Sequence, residues 1–356
     1  MGNQTLAVKY RPIRFDDVVE QNVTKAILSE QLKNRTFKNC LLFTGGAGTG
    51  KTTSARIFAN EINNFKGHPI ELDAASNNSV DDVRRIIEDS KYQSLESEYK
   101  TYIIDECHSL SSQAWQAFLK LLEEPPKKSI FILCTTDPQK IPNTILSRVQ
   151  RYNFQKITQQ GIISRLKYII DSENKEICEE RGNDLPPENG VLITYEDEAI
   201  DYIAKLADGG MRDSITLLDK AIGYSNSLTL DNVLNALGSA NYDTMFNLTD
   251  ALLTMNKKAV IELVESVHRS GLDLKQFIKQ YSYFVLDLCK YDLLRSFECL
   301  QMPFIYENVL NSYSSEDYQF FNQLLGETIT LNSNIKWETV PKPVIESTFL
   351  LLCTEV

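Results

Sequence analysis

Gly45-Gly46-Ala47-Gly48-Thr49-Gly50-Lys51-Thr52 follows the apolar run Cys40-Leu41-Leu42-Phe43 and leads into Thr53-Ser54-Ala55-Arg56-Ile57-Phe58. An apolar run, a glycine cluster and a helical pattern in that order read as strand, tight turn and helix, and the turn has the composition of a phosphate cradle. Glycines let successive backbone N–H groups converge on a β-phosphate, and the helix N-terminus that follows adds its positive dipole end. Lys51 has the reach to meet β- and γ-phosphates, and the Thr52 hydroxyl is a ligand for Mg²⁺. A nucleoside triphosphate is therefore expected on Gly45, Gly46, Ala47, Gly48, Thr49, Gly50, Lys51, Thr52 and Thr53.

Working outward, short apolar runs recur at 40–44, 69–72, 101–105, 129–134 and 151–154, with helical patterns at 80–90 and 112–124 between them. A spacing of roughly 30 residues is that of a βαβ unit, so the first part of the chain is expected to be a parallel sheet covered by helices. Ligands bind at the carboxyl ends of such strands, and Thr44, Asp105 and Thr135 all fall there. Thr101-Tyr102-Ile103-Ile104-Asp105-Glu106 is an apolar strand ending in two acids, the Walker B pattern. Asp105 is placed to hold Mg²⁺ through water, and Glu106 to accept a proton from the water that attacks a γ-phosphate.

From about residue 157 strand signals fade and amphipathic helical patterns take over. Residues 183–190 read as an irregular loop, Gly209-Gly210 punctuates the chain, and a helical run is expected over 211–224. No apolar stretch approaches the ~18 residues of a membrane span, and the polar start lacks the pattern of a signal peptide; a soluble cytoplasmic protein is expected. The net charge of −11 argues against wrapping nucleic acid over the whole surface. It leaves room for a local basic lining, since 138–170 holds Lys140, Arg148, Arg151, Lys156, Arg165 and Lys167 with no acid, whereas 171–200 holds ten acids. The seven cysteines form no C-x-x-C pair and read as reduced, buried thiols, and the three histidines, lying far apart, read as structural.

With these features in place the chain resembles the AAA+ clamp-loader ATPases, and among them the bacterial DNA polymerase III gamma/tau branch, over almost its whole length. Leu6-Ala7-Val8-Lys9-Tyr10-Arg11-Pro12 with Phe15-Asp16-Asp17-Val18-Val19 is similar to the family's N-terminal adenine-binding segment. Glu71-Leu72-Asp73-Ala74-Ala75-Ser76, Val80-Asp81-Asp82-Val83-Arg84, Asp105-Glu106-Cys107-His108, Leu121-Leu122-Glu123-Glu124-Pro125-Pro126, Thr135-Thr136-Asp137-Pro138 and Ser147-Arg148 continue the match. The resemblance implies ATP and Mg²⁺ as ligands, with Tyr10, Arg11, Pro12 and Val18 on the adenine side. It places Thr136 at sensor 1, where a polar group orients the attacking water, and Arg148 at the arginine finger, which acts in trans on a neighbour's ATP. Gly210-Met211-Arg212-Asp213 resembles sensor 2, so Arg212 would reach the γ-phosphate within the same subunit. Arg84, with Arg85 and Lys91 as weaker neighbours, is the position implied to track primer-template DNA through phosphates, without sequence specificity.

The implied architecture is an AAA+ P-loop parallel-sheet core over 1–155, an all-helical lid over 156–224 and an all-helical collar over 225–356. The implied partners are other loader subunits in a pentamer, the sliding clamp and primed DNA, and no membrane. Three departures from the family pattern stand out. Relatives of this branch carry a four-cysteine zinc module between the Walker A helix and the next strand, whereas here residues 60–68 pass straight to Pro69-Ile70, so no zinc is expected. The finger motif reads Ser147-Arg148-Val149 rather than ending in cysteine, and the acidic stretch around 176–192 is longer than usual. Two other readings compete: another AAA+ DNA-remodelling ATPase, recombination-associated or a junction helicase, and an ATP-inactive scaffold subunit of the same loader.

Overall fold

The computed structural model describes residues 4–180, 192–237, 242–297 and 299–353. The irregular loop expected at 183–190 lies outside the described residues, as does most of the acidic stretch at 176–192. The chain divides into two compact units, Met1–Ser172 with Ala207–Asp219, and Glu173–Leu206 with Lys220–Val356.

The first unit is built on five parallel strands, β1 (Cys40–Gly45), β2 (Ile70–Asp73), β3 (Lys100–Asp105), β4 (Ser129–Thr135) and β5 (Gln150–Phe154), in the order β2-β3-β4-β1-β5. Its helices are α1 (Leu6–Lys9), α2 (Asn22–Asn34), α3 (Lys51–Ile62), α4 (Val80–Ser90), α5 (Ser112–Glu123) and α6 (Asn143–Leu146), with the first part of α7 (Gln159–Glu180). The central strands β1, β3 and β4 are buried on both sides because a parallel sheet with crossover helices is covered on both faces, whereas the edge strands β2 and β5 carry exposed polar residues. Successive side chains point to opposite faces. Leu42, Ile104, Phe131 and Leu133 pack on one face with Val83 of α4 and Phe118 and Leu122 of α5. Leu41, Phe43, Ile103 and Ile132 pack on the other with Leu28 of α2 and Ala55, Phe58 and Ile62 of α3.

Sequence sets the helix starts. Ser79 caps α4 by accepting from Asp82 N at 3.2 Å, and Ser111 caps α5 by accepting from Ala114 N at 3.2 Å. Each such cap satisfies one of the orphan donors of a helix start and is worth about 1 kcal/mol. Helix α3 has no such side-chain cap. It starts directly from Gly50 at φ +97°, which leaves its first N–H groups open toward the cleft at the carboxyl end of β1. Residues 63–69 alone join α3 to β2.

The second unit holds α8 (Asp197–Leu206), the end of α9 (Met211–Tyr224), α10 (Leu230–Leu237), α11 (Tyr242–Leu253), α12 (Lys257–Arg269), α13 (Leu274–Leu294), α14 (Glu307–Leu310), α15 (Ser315–Ile335) and α16 (Pro341–Leu352). A two-residue parallel pairing of β6 (Thr194–Tyr195) with β7 (Ser227–Leu228) is added to the helices. The long α13 and α15 pack along one another, and the buried Tyr281, Phe321, Leu324 and Phe349 fill this helical core. Tyr281 meets Phe349 edge to face at 5.9 Å, and its hydroxyl shares a 2.9 Å hydrogen bond with the Thr249 hydroxyl. Among the described residues no helix is long and apolar enough to cross a membrane.

Candidate functional site

The segments at the carboxyl ends of β1 and β3 line a cleft of about 430 Å³, within the ~300–1,000 Å³ typical of ligand sites. Ala47, Gly48, Thr49, Gly50, Lys51, Thr52 and Thr53 line one side, Asp105 and Glu106 the base, and Tyr10, Arg11, Pro12 and Val18 a third wall. Arg212 and Met211, from the start of α9, close it. The glycine-rich loop, the acidic strand end, the N-terminal segment and Arg212, the arginine expected at sensor 2, scattered over 200 residues of sequence, thus surround one cavity. Gly45 and Gly46 form the entry to the loop. A Cβ on Gly45, at φ +153°, would meet the Phe154 carbonyl at 2.2 Å, so β5 can lie this close only to a glycine.

The loop is held by its own polar groups. The Thr49 hydroxyl donates to Gly46 O at 2.9 Å, and Lys51 Nζ donates to the same oxygen at 2.7 Å. Lys51 is buried, and burial draws its ammonium below the usual lysine range, opposed by the negative field of Cys134, Glu106 and Asp105. A desolvated cation on a single carbonyl is under-bonded, since an ammonium has three donors; an anionic ligand would supply the missing acceptors. The Thr52 hydroxyl donates to Asp105 Oδ2 at 2.7 Å, so the two expected Mg²⁺ ligands already touch across the cleft. This donor set of hydroxyl and carboxylate oxygens suits a hard cation. Among the described residues no group of three or more His, Cys, Asp or Glu side chains is arranged to hold a metal.

Glu106 follows β3 with φ +45°, and its N–H donates to Asp105 Oδ1 at 3.0 Å. Its Oε2 accepts from the Thr136 hydroxyl at 3.0 Å, which places the sensor 1 position beside the candidate base. The same Oε2 lies 3.2 Å from His108 Nδ1, which also lies 3.1 Å from Thr135 Oγ1. The structural reading of His108 from sequence missed this, because a histidine two residues from a carboxylate carries no helical or strand periodicity that would join them.

Sequence also missed what holds the walls. Gly48 packs on Gly210, and Met211 N donates to Gly48 O at 2.9 Å, tying the phosphate loop to the α9 start. The N-terminal segment is strapped down at Tyr10 O, which accepts from Arg165 Nη2 of α7 at 3.0 Å, and at Leu6 N, which donates to Asp219 of α9 at 3.2 Å. These bonds give a reason why residues 156–172 and 207–219, expected within a lid, belong with the sheet in one compact unit.

Besides Gly45 and Gly46 at its entry, three predicted residues lie outside the cleft lining: Thr136, which touches it only through Glu106, and Arg148 and Arg84. Arg148 is paired with Glu123 Oε1, through Nη2 at 2.7 Å and Nε at 3.1 Å, and its Nη1 donates to Thr144 O at 2.6 Å. Arg84 is exposed and donates to Asp81 at 3.0 Å on the surface of α4. Of the seven cysteines, Cys40, Cys107, Cys134, Cys289 and Cys353 are buried, whereas Cys178 is half-buried and Cys299 exposed, which corrects the expectation that all are buried.

Residues 62–158 match a family model described as DNA polymerase III, delta subunit, and residues 190–227 one described as DNA polymerase III clamp loader subunit, ATPase lid domain. The chain is 33% identical to DNA polymerase III subunit tau of Bacillus subtilis, over 99% of this chain and 64% of that protein. It is 31% identical to the Escherichia coli tau subunit over 77% of this chain and 43% of that protein, so it spans roughly half to two thirds of these relatives. With DNA polymerase III subunit gamma of Buchnera aphidicola the identity is 31%, over 80% of each chain. The Thermotoga maritima RuvB Holliday junction branch migration motor superposes with a TM-score of 0.50 at 17% identity, over 74% of this chain and 86% of that one, a likeness of fold alone. The sheet order, the phosphate loop and the similarity to gamma along four fifths of both sequences converge on one conclusion: the chain belongs to the DNA polymerase III gamma/tau family of clamp-loader AAA+ proteins.

Proposed function

We propose that this chain is an ATP-hydrolysing subunit of a sliding-clamp loader, which uses ATP binding to open a clamp and hydrolysis to release it on primer-template DNA. The single observation that carries the reading is the division of the catalytic set. Lys51, Thr52, Asp105, Glu106 and Arg212 surround one cleft, while Arg148 is held outside it by Glu123. An arginine paired on the surface outside its own cleft fits an assembly in which each subunit completes its neighbour's site.

In this reading the backbone of Gly45, Gly46, Ala47, Gly48, Thr49 and Gly50 cradles the triphosphate, with Thr53 in the next turn, and Lys51 holds β- and γ-oxygens. Tyr10, Arg11, Pro12 and Val18 enclose the adenine. Thr52 and Asp105 would hold Mg²⁺, which would supply positive charge to offset the negative charge that develops on the phosphate oxygens. Glu106 takes a proton from the attacking water, Thr136 orients the Glu106 carboxylate and that water, and Arg212 steadies the γ-phosphate from its own subunit. Arg148 exchanges Glu123 for the neighbour's γ-oxygens, where a guanidinium has most effect as charge spreads. Residues 1–155, 156–224 and 225–356 act as ATPase core, lid and collar of a pentameric assembly in the cytoplasm. Arg84 meets DNA phosphates without reading bases.

The test is ATP turnover by the assembled loader with and without clamp and primed DNA. Arg148→Ala should retain ATP binding and lose ~10³-fold or more of the stimulated turnover, the low end for an arginine finger. Unchanged turnover by the assembled complex carrying Arg148→Ala would refute the assignment.

A further inference from the structure

Glu106 has two carboxylate oxygens, and they are used unequally. Oε2 receives the Thr136 hydroxyl at 3.0 Å and lies 3.2 Å from His108 Nδ1. No hydrogen bond to Oε1 is seen among the described residues. His108 reaches this place because Glu106 takes the left-handed conformation and the chain then turns through the short 3-10 segment Cys107–Ser109, folding back over the end of β3. The Cys107 side chain is driven into the core by the same turn, which fixes the segment from below.

The tautomer follows from the partners. A carboxylate oxygen only accepts, so the nitrogen facing it must carry a proton. Nδ1 also faces Thr135 Oγ1 at 3.1 Å, and that oxygen accepts from Asp137 N at 3.0 Å while retaining a second lone pair. Thr135 is wholly buried at the end of β4, so it is a fixed post. Nδ1–H is therefore held at a fixed hydroxyl oxygen with Oε2 3.2 Å away, so its positive end faces the carboxylate at the end of the central strands.

We propose that His108 is a positioning residue for ATP hydrolysis: with Thr136 it occupies Oε2 and fixes the carboxylate plane, leaving Oε1 as the oxygen that takes a proton from the attacking water. The proposal rests on the reading of Glu106 as general base. A base must be within hydrogen-bond reach of the proton that it abstracts, and a carboxylate free to rotate would spend much of its time out of reach. His108 does not touch the nucleotide; it acts through Glu106.

The test compares His108→Leu, His108→Asn and Glu106→Gln in the assembled loader with clamp and primed DNA. The Asn amide nitrogen replaces Nδ1 at nearly the same distance from the backbone, whereas Leu fills the space and donates nothing. His108→Leu should lower kcat by ~10–100-fold, the loss expected for a hydrogen bond to a charged group. The KM and the Kd for a non-hydrolysable ATP analogue should stay within about twofold, and His108→Asn should recover most of the rate. A purely structural His108 would instead lower the thermal midpoint of both variants and leave kcat per folded complex unchanged. Wild-type kcat in His108→Leu, or no recovery in a folded His108→Asn, overturns the proposal. Glu106→Gln reports on the reading beneath it: lost turnover with retained binding keeps the base assignment, whereas retained turnover removes that assignment and this proposal together.

Discussion

Replacing Gly48 by Ala tests the join between the phosphate loop and the α9 start. Gly48 has φ +68°, and an added Cβ would lie 2.9 Å from Gly210 Cα, 3.2 Å from Gly210 C and 3.4 Å from Arg212 N. All three are backbone atoms, so no rotamer change relieves the clash. The left-handed conformation costs a residue with Cβ ~1–2 kcal/mol. Moving the loop away also loses the 2.9 Å bond from Met211 N to Gly48 O, a further ~1 kcal/mol. The total of ~2–3 kcal/mol should lower the melting midpoint of the sheet unit by ~4–12 °C, at ~2–4 °C per kcal/mol for a unit of this size. Gly46 is the control: the nearest atom to its added Cβ is Thr49 Cγ2 at 3.7 Å, an ordinary contact, so Gly46→Ala should stay within ~0.5 kcal/mol without ligand. Calorimetry of both variants, following the transition that an ATP analogue raises, reads the difference. Equal midpoints for the two glycine variants would refute the claim that loop and α9 meet through Gly48 and Gly210.

Two further outcomes can be checked on the isolated chain. Asp287 is 2% exposed and its Oδ2 accepts from Gln301 N at 2.7 Å and Met302 N at 2.9 Å. Burial pushes its carboxyl above the usual range, against the pull of Met302 N, Lys290 and Gln301 N. A raised folded pKa means that the folded state holds the proton longer, so this group's contribution to stability falls as pH rises from ~4 upward. Asp287→Asn, whose carbonyl still accepts both N–H groups, should flatten that decline, while Asp287→Ala, which orphans both, should lose ~1–3 kcal/mol per donor at any pH; denaturant titrations at several pH values check both. For the thiols, a disulfide reagent at neutral pH should modify Cys299 first and Cys178 more slowly. Cys40, pushed up to about 12 by burial, and the buried Cys107 and Cys134 should react only on unfolding; fast labelling of Cys107, read by mass spectrometry, would contradict the packing beneath the Walker B turn.

Local rules made much of this legible from sequence. Short apolar runs put each of the five strands of the sheet within one or two residues of its place, and the helical run at 211–224 coincides with α9. The triphosphate cradle was legible because its chemistry is contained in eight consecutive residues. What stayed hidden depends on which distant backbones touch. Gly48 and Gly210 each read as a turn glycine, and only the folded chain reveals that each is needed by the other. Arg165 read as one charge in a basic window, yet its partner is a carbonyl 155 residues away. His108 read as structural because periodicity says nothing about a side chain on a 3-10 turn, where the direction of the ring is set by the left-handed residue before it.

That left-handed residue has an evolutionary corollary. Glu106, at φ +45°, occupies a conformation in which glycine carries no steric penalty, whereas a residue with Cβ bears ~1–2 kcal/mol. If Glu106 is the base proposed above, a directed-evolution campaign ranked on heat tolerance alone would drift toward glycine at position 106 and return robust proteins without turnover. A carboxylate at so unfavourable a spot trades durability for the proposed work of that side chain.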